Sequence, residues 1–276
     1  MEIRFWGVRG SIASSSPTVA RIGGNTSCVE VTSNGHRLIL DAGTGIRALG
    51  ETLMRELPVR TTMLFSHLHW DHVQGFPFFT PAYVPTTEIS LFGPGRDGEQ
   101  QLRSVLAKQM EAPNFPVPMS TMRSKMAFHS ALAGQTIETG PFRITPIELP
   151  HPQGCLGYRI EADGQRFAYC TDVELDLERM SAAVASALEG VDALALDAQY
   201  TADEYAGRTG MPKKGWGHST NVDAATIAKE TGVKRLFLFH HDPARTDEQV
   251  DAMTEAAKQI FRAAEPAREG LHFTPR

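Results

Sequence analysis

The stretch Ser66-His67-Leu68-His69-Trp70-Asp71-His72 sets three imidazoles and one carboxylate side by side, directly after the short apolar run Met63-Leu64-Phe65. Neutral imidazole nitrogen and carboxylate oxygen are the ligand types that Zn²⁺ and its first-row neighbours take, and a turn after a strand can aim such side chains at two ions. One or two histidines in a loop are ordinarily solvated polar residues. The pattern H-x-H-x-D-H at the end of a strand reads instead as a metal site.

The elements that must position this cluster can be followed along the chain. Ile3 to Trp6 reads as a first strand, and the segment from Gly7 to Gly24, rich in Gly, Ser and Pro, as a loop. Cys28 to Val31 and Arg37 to Leu40 flank Asn34-Gly35, the strongest short hairpin signal, with His36 exposed at the turn. The second strand delivers Asp41-Ala42-Gly43-Thr44-Gly45, after which Ile46, Leu49 and Leu53 recur at helical spacing. Thr62 to Phe65 forms the strand that ends at the histidines, and an amphipathic helix runs from about Glu99 to Glu111. The stretch from Ala112 to Met126, with its prolines and methionines, reads as either a cap over the site or a surface excursion packed by Met side chains.

In the second half, Phe142 to Leu149 ends at Pro150-His151, Gly157 to Glu161 pairs with Arg166 to Cys170, and the latter ends at Thr171-Asp172. A helix is expected over Leu175 to Leu188, then a buried strand over Val191 to Asp197. Gly217-His218-Ser219-Thr220 opens a helix with capping-box spacing from Thr220 to Asp223 and a stop at Gly232. Arg235 to Phe239 is a strand ending at His240-His241, and Thr246 with Gln249 caps the last helix.

Six histidines and three aspartates therefore fall at strand ends or in loops beside them: Asp41, His67, His69, Asp71, His72, His151, Asp172, His218 and His240. Strands and helices alternate along both halves with no linker between them. This predicts one α/β domain over residues 1–276, with two sheets packed together, helices outside and the ligands along one edge.

The cluster and its partners resemble the metallo-β-lactamase superfamily. The resemblance implies its four-layer αββα sandwich and two divalent metal ions, zinc first, with manganese and iron as alternatives. By that resemblance His67, His69 and His151 bind one ion, Asp71, His72 and His240 bind the second, and Asp172 bridges them. His241 is the rival for the last position. Asp41 then orients a ligand histidine by taking its other N–H, or caps the following helix. Two such ions roughly 3.5–4 Å apart can share a water, lower its pKa towards ~7 and clamp the attacking and leaving oxygens of a displacement. The diiron flavoprotein relatives carry Glu where this chain has His69, which disfavours redox iron. There is no Gly-x-Ser-x-Gly elbow, so a serine nucleophile is not supported.

Phe5-Trp6-Gly7-Val8-Arg9-Gly10-Ser11, the Gly24-Asn25-Thr26-Ser27 turn and the Gly217-to-Thr220 loop resemble the phosphodiesterase branch, which includes tRNA 3′-processing endonucleases and a cyclic-phosphate phosphodiesterase. The resemblance gives His218, with Asp71, a catalytic place: binding phosphate or protonating the leaving oxygen. A helix-start histidine bonded to its own turn is the bland alternative. A hydrolase of a lactone, thioester or β-lactam on the same fold is the rival reading, and a non-enzymatic binding module the third.

Composition bounds the rest. A net charge of −5 and the lack of a Lys/Arg-rich arm predict a small phosphodiester substrate, such as a cyclic nucleotide, and no extended nucleic acid. Lys213-Lys214 reads as a solvated turn. Cys28, Cys155 and Cys170 lack CxxC spacing and read as small buried hydrophobes in a reducing cytoplasm. No run approaches the ~18 apolar residues of a membrane span, so no membrane partner is expected; a homodimer is within expectation.

Overall fold

The computed structural model describes residues 1–275. The first sheet contains β1 (Glu2–Gly7), β2 (Cys28–Ser33), β3 (His36–Leu40), β4 (Arg60–Leu64), β5 (Glu88–Pro94) and β6 (Lys125–Ala131). The second contains β7 (Ile137–Thr139), β8 (Phe142–Leu149), β9 (Cys155–Ala162), β10 (Gln165–Cys170), β11 (Ala193–Asp197), β12 (Leu236–Phe239) and β13 (Ala264–Pro266). The last short strand, β14 (His272–Phe273), returns to the first sheet beside β1. The orders are β14-β1-β2-β3-β4-β5-β6 and β13-β12-β11-β10-β9-β8-β7.

Each sheet is antiparallel on one side and parallel on the other. β1, β2 and β3 meander, whereas β3 to β6 run parallel. β7 to β10 meander, whereas β10 to β13 run parallel. Asn34 and Gly35 both have positive φ, as a tight twisted hairpin turn requires, and this sets the β2–β3 register with Ser33 opposite His36.

The two sheets face each other across one core. β12 shows how a four-residue run with every residue buried serves two layers. Phe237 and Phe239 point between the sheets and pack on Phe5, with ring centroids at 5.3 and 5.9 Å. Leu236 and Leu238 point the other way, under the helices Asn221–Glu230 and Asp247–Lys258. On the far side, helices Ile46–Leu53 and Gly98–Lys108 cover the first sheet through Leu49, Leu53, Leu102 and Leu106. The result is the four-layer αββα sandwich. Among the described residues no helix is long and apolar enough to cross a membrane.

Two local expectations need correction. The helix expected from Leu175 is confined to Ala182–Leu188, because Asp176 binds Arg179 in a turn and Ser181 then caps the helix by accepting from the Val184 N–H. Thr220 does cap its helix, but Asp223 accepts from the Thr220 hydroxyl rather than its backbone N–H, so the box is half formed. The stretch from Ala112 ends as β6, and Met122 lies in the core beneath it while Phe115 packs edge-on against Phe78. The capping box at Thr246 and Gln249 is complete.

Phe237→Ala removes a ring that touches both sheets. It is expected to cost about 3–5 kcal/mol of folding stability, read as a lower denaturation midpoint in urea.

Candidate metal centre

The parallel strands of both sheets end at the same edge, and their C-terminal ends carry the polar residues. β3 ends at Asp41, β4 at Ser66 and His67, β10 at Asp172, β11 at Asp197 and β12 at His240, while His151 follows antiparallel β8. Asp41, Asp172 and His240 each adopt positive φ, at 60°, 49° and 59°. Such backbone is uncommon outside glycine, with asparagine, aspartate and histidine adopting it more readily than other residues, and here it turns the side chain sharply off the strand toward the cluster.

Three groups of ligand atoms converge there: Asp197, His218 and His240 form the smallest, and two larger ones share a residue. One holds His67, His69, His151 and Asp172, the other Asp71, His72, Asp172 and His240; within each group the atoms lie within 4.8 Å of one another. Asp172 is common to both. Its Oδ1 lies 3.6 Å from His67 Nε2 and 3.9 Å from His151 Nε2, and its Oδ2 lies 3.0 Å from His72 Nε2 and 3.1 Å from His240 Nε2. His241, next in sequence, turns away: its Nε2 meets the Ala267 carbonyl at 3.0 Å, and its pKa is pushed down to about 3 by burial.

The second nitrogen of each ring is already engaged. His72 Nδ1 donates to Asp41 Oδ2 at 2.8 Å and His151 Nδ1 to the Gly217 carbonyl at 2.9 Å. His240 Nδ1 faces Gln199 Oε1 at 3.3 Å, His69 Nε2 faces Gln153 Oε1 at 3.2 Å, and His67 Nδ1 faces Ser66 Oγ at 3.1 Å. Partners of this kind fix the tautomer and leave the opposite nitrogen's lone pair directed at the cluster.

Asp41 is the hub of this outer layer. It accepts from the Ser66 N–H and hydroxyl, both at 2.8 Å, from His72, and from the Tyr169 hydroxyl at 2.7 Å. It does not cap the helix, whose first flanking residue is Gly45. Asp71 is held from the N-terminal loop, where the Ser11 N–H donates to its Oδ2 at 2.7 Å. In that loop a side chain on Gly10 would come within 2.4 Å of the His240 ring, so only glycine lets it pass.

Electrostatics draw positive charge to the centre. Burial alone would raise Asp71 and Asp172, but the surrounding imidazoles, His72 for Asp71 and His240 for Asp172 foremost, hold both well below the usual carboxylate range. Burial opposes charge on His72 and His240 as well. Asp71 and Asp172 nevertheless raise His72 well above its usual value, and Asp172 leads in lifting His240 to about 10. His67 goes the other way, lowered by burial and by neighbouring His72.

The donor set fits divalent ions. Oxygen and imidazole ligands suit zinc, manganese and iron. The buried Nε2 atoms of His67 and His72 have no aligned hydrogen-bond partner, although His72 Nε2 is only 3.0 Å from a carboxylate oxygen. Buried polar atoms without partners are rare in proteins, and a cation in each group would satisfy its own nitrogen.

His218 stands beside this centre. Its ring stacks on His240 at a centroid distance of 5.0 Å and lies edge-on to His151 at 5.5 Å. Its Nδ1 meets Asp197 Oδ2 at 2.7 Å, which rules out the reading of a histidine bonded only within its own turn.

A family model described as "Beta-lactamase superfamily domain" matches residues 36–241. The chain belongs to the β-lactamase superfamily. It is a metal-dependent hydrolase of that superfamily, with the histidine–aspartate cluster able to hold the metal. A ribonuclease Z of Streptococcus suis is 25% identical, over 81% of this chain and 84% of that protein. Among solved structures, the metallo-β-lactamase-fold protein YhfI of Bacillus subtilis superposes with a TM-score of 0.73 at 20% identity, over 99% of this chain and 98% of YhfI. A diphosphatase of the PhnP family superposes with a TM-score of 0.71 at 19% identity, over 99% of this chain and 97% of that one.

The ribonuclease Z relatives overturn the expectation of a small-molecule partner with no extended nucleic acid. That expectation rested on net charge and on the lack of a Lys/Arg-rich arm. A whole-chain sum says nothing of the few side chains that would grip one end of an RNA, and it is no ground for excluding such a ligand.

Asp197 and Tyr169 are site residues that sequence reasoning passed over. Asp197 carried a usable signal: like Asp41 and Asp172, it is a lone carboxylate terminating an apolar strand.

Asp41→Asn keeps the shape but sets an amide N–H₂ against at least one of the donors now facing Asp41. It is expected to weaken zinc binding by roughly 10–100-fold, measured by competition with a chromophoric chelator.

Proposed function

We propose that this chain is a phosphodiesterase that works with two divalent ions, zinc before manganese or iron. His67, His69, His151 and Asp172 would hold one, and Asp71, His72, His240 and Asp172 the other. When bound, such a pair lowers the pKa of water and neutralises charge on phosphoryl oxygens.

The observation that carries the phosphodiester reading is the His218–Asp197 pair. Breaking a phosphodiester P–O bond expels an alkoxide, which leaves readily only if it gains a proton. His218 is positioned to give one. With Nδ1 donating to Asp197 at 2.7 Å, its Nε2 is the nitrogen free to carry a proton to the leaving oxygen. Asp197 fixes the tautomer of the His218 ring and holds it in register with His240. Asp197 is itself anchored, accepting from the Gln199 and Ser219 N–H groups at 3.1 Å each. A thioester, whose thiolate leaves without a proton, has less use for this donor.

The family of relatives puts RNA 3′ ends among the first substrates to try, beside cyclic nucleotides. The test is a zinc-loaded hydrolysis panel of precursor tRNA, a 2′,3′-cyclic nucleotide, bis-p-nitrophenyl phosphate, a lactone and a β-lactam, run on wild type and His218→Ala. On esters with alkoxide leaving groups His218→Ala is expected to lower kcat by roughly 10²–10⁴. The loss on the p-nitrophenyl ester should be much smaller, because that leaving group needs no proton. Lactone turnover indifferent to His218, without phosphodiester cleavage, would overturn the reading.

Chelation followed by zinc readdition should abolish and restore cleavage, and Asp172→Ala, which removes an oxygen from both groups at once, should not be restored by zinc. Metal content per chain and phosphodiester turnover, measured together, check this.

A further inference from the structure

Glu174 lies two residues beyond Asp172, is buried, and has no part in any group of ligand atoms. Its carboxylate nevertheless accepts four hydrogen bonds. Oε1 accepts from the Tyr205 hydroxyl and Arg179 Nη1, both at 2.5 Å, and from the Gly215 N–H at 2.9 Å. Oε2 accepts from a single group, the Gly217 N–H, at 2.9 Å.

That last bond leads back to the centre by a short route. The Gly217 residue that donates to Glu174 also offers its carbonyl to His151 Nδ1 at 2.9 Å, and the next residue is His218. Gly217 has φ +89°, and a Cβ there would fall 2.4 Å from His151 Nδ1. Beyond His218, the Ser219 hydroxyl donates to the Val173 carbonyl at 2.5 Å and accepts from the Leu175 N–H at 3.0 Å. The loop bearing His218 is thus stitched on both sides to residues 173–175. The Glu174 N–H in turn donates to the Pro150 carbonyl at 3.0 Å, immediately before His151.

We infer that Glu174 is a positioning residue that sets two groups at once: through Gly217 it fixes the tautomer and direction of His151, and through the same loop it fixes the approach of His218. Charge-assisted bonds to backbone N–H groups are strong and directional. A carboxylate drawing on the N–H of Gly217 holds that residue's carbonyl where it can accept from His151. The inference rests on the metal reading proposed above, because it treats His151 as a ligand. It adds a residue that touches neither metal nor substrate.

Glu174→Gln presents an amide N–H₂ to at least one of the N–H groups that now donate, and so releases the loop. In the full-length protein its zinc affinity, measured by competition with a chromophoric chelator, is expected to fall by about 10–100-fold at one of two sites. The kcat loss should be larger on an ester with an alkoxide leaving group than on bis-p-nitrophenyl phosphate, the signature of a displaced His218. Tyr205→Phe removes a partner of Oε1 and leaves the Gly217 bond, so it should bind zinc within about twofold of wild type. If Glu174→Gln does not fold, Glu174→Asp, which keeps the charge but shortens the reach, is expected to show the same loss. A lowered melting temperature with both zinc sites and the leaving-group dependence unchanged would mean a merely structural carboxylate and would overturn the inference. Wild type that binds two zinc ions but cleaves no phosphodiester would sink the proposed substrate class and leave Glu174's effect on zinc affinity to stand; wild type that binds no zinc would sink both.

Discussion

Five imidazoles and two carboxylates can be packed against one another at one sheet edge only if each buried polar atom has a directed partner, since an unpaired one costs several times what an ordinary hydrogen bond contributes. Asp172 concentrates that constraint. It faces His67, His72, His151 and His240 at 3.0–3.9 Å and is almost wholly buried. Much of the edge where the sheets meet follows from satisfying this set. Parallel strands bring their ends together, and each ring's remote nitrogen is given an acceptor.

The partners of those rings form a layered support. Asp41 joins β3 to His72, to Ser66 after β4 and to Tyr169 on β10, so one carboxylate ties the two sheets at the point where the ligands emerge. Asp197 does the same for His218, with a contact to His240 at 3.4 Å. Arg9, fully buried, donates to the carbonyls of Gly23, Asp242 and Arg245. It thereby locks the N-terminal loop, which supplies the Ser11 N–H to Asp71, against the chain that follows His240. The motifs around Arg9 and Asn25 touch no ligand with their side chains, yet they hold the loops that do.

Much of this was legible in the residues. The H-x-H-x-D-H cluster, the Asn34-Gly35 hairpin and the apolar runs ending in Asp or His carry their information locally, because turn chemistry and strand burial act over a few residues. The outlying strands were not legible. β5 alternates in burial through Ile89 and Leu91, but Phe92 and Pro94 blur its polar face, and β7, β13 and β14 are only two or three residues long. They exist because a neighbour's edge pairs with them. Glu174 escaped for a related reason: nothing beside it in sequence marks a carboxylate whose partners Tyr205, Gly215 and Gly217 arrive from a distant loop. The choice between His240 and His241 was likewise a matter of backbone, since the positive φ at His240 sends one ring inward while its neighbour binds Ala267. Net charge misled outright, because it averages over a surface of which the substrate sees one part.

The left-handed backbone at Asp172 and His240 has a consequence for how this fold drifts. Each costs of order 1–3 kcal/mol, a strain that glycine at the same positions would relieve while also removing a charge or ring from a crowded interior. Loss of the catalytic side chain at such a position therefore need not weaken the sandwich and can strengthen it. In a lineage where hydrolysis is no longer under selection, these corners are where substitution meets least resistance, and the scaffold would persist, better folded and chemically silent, as a surface free to acquire other uses.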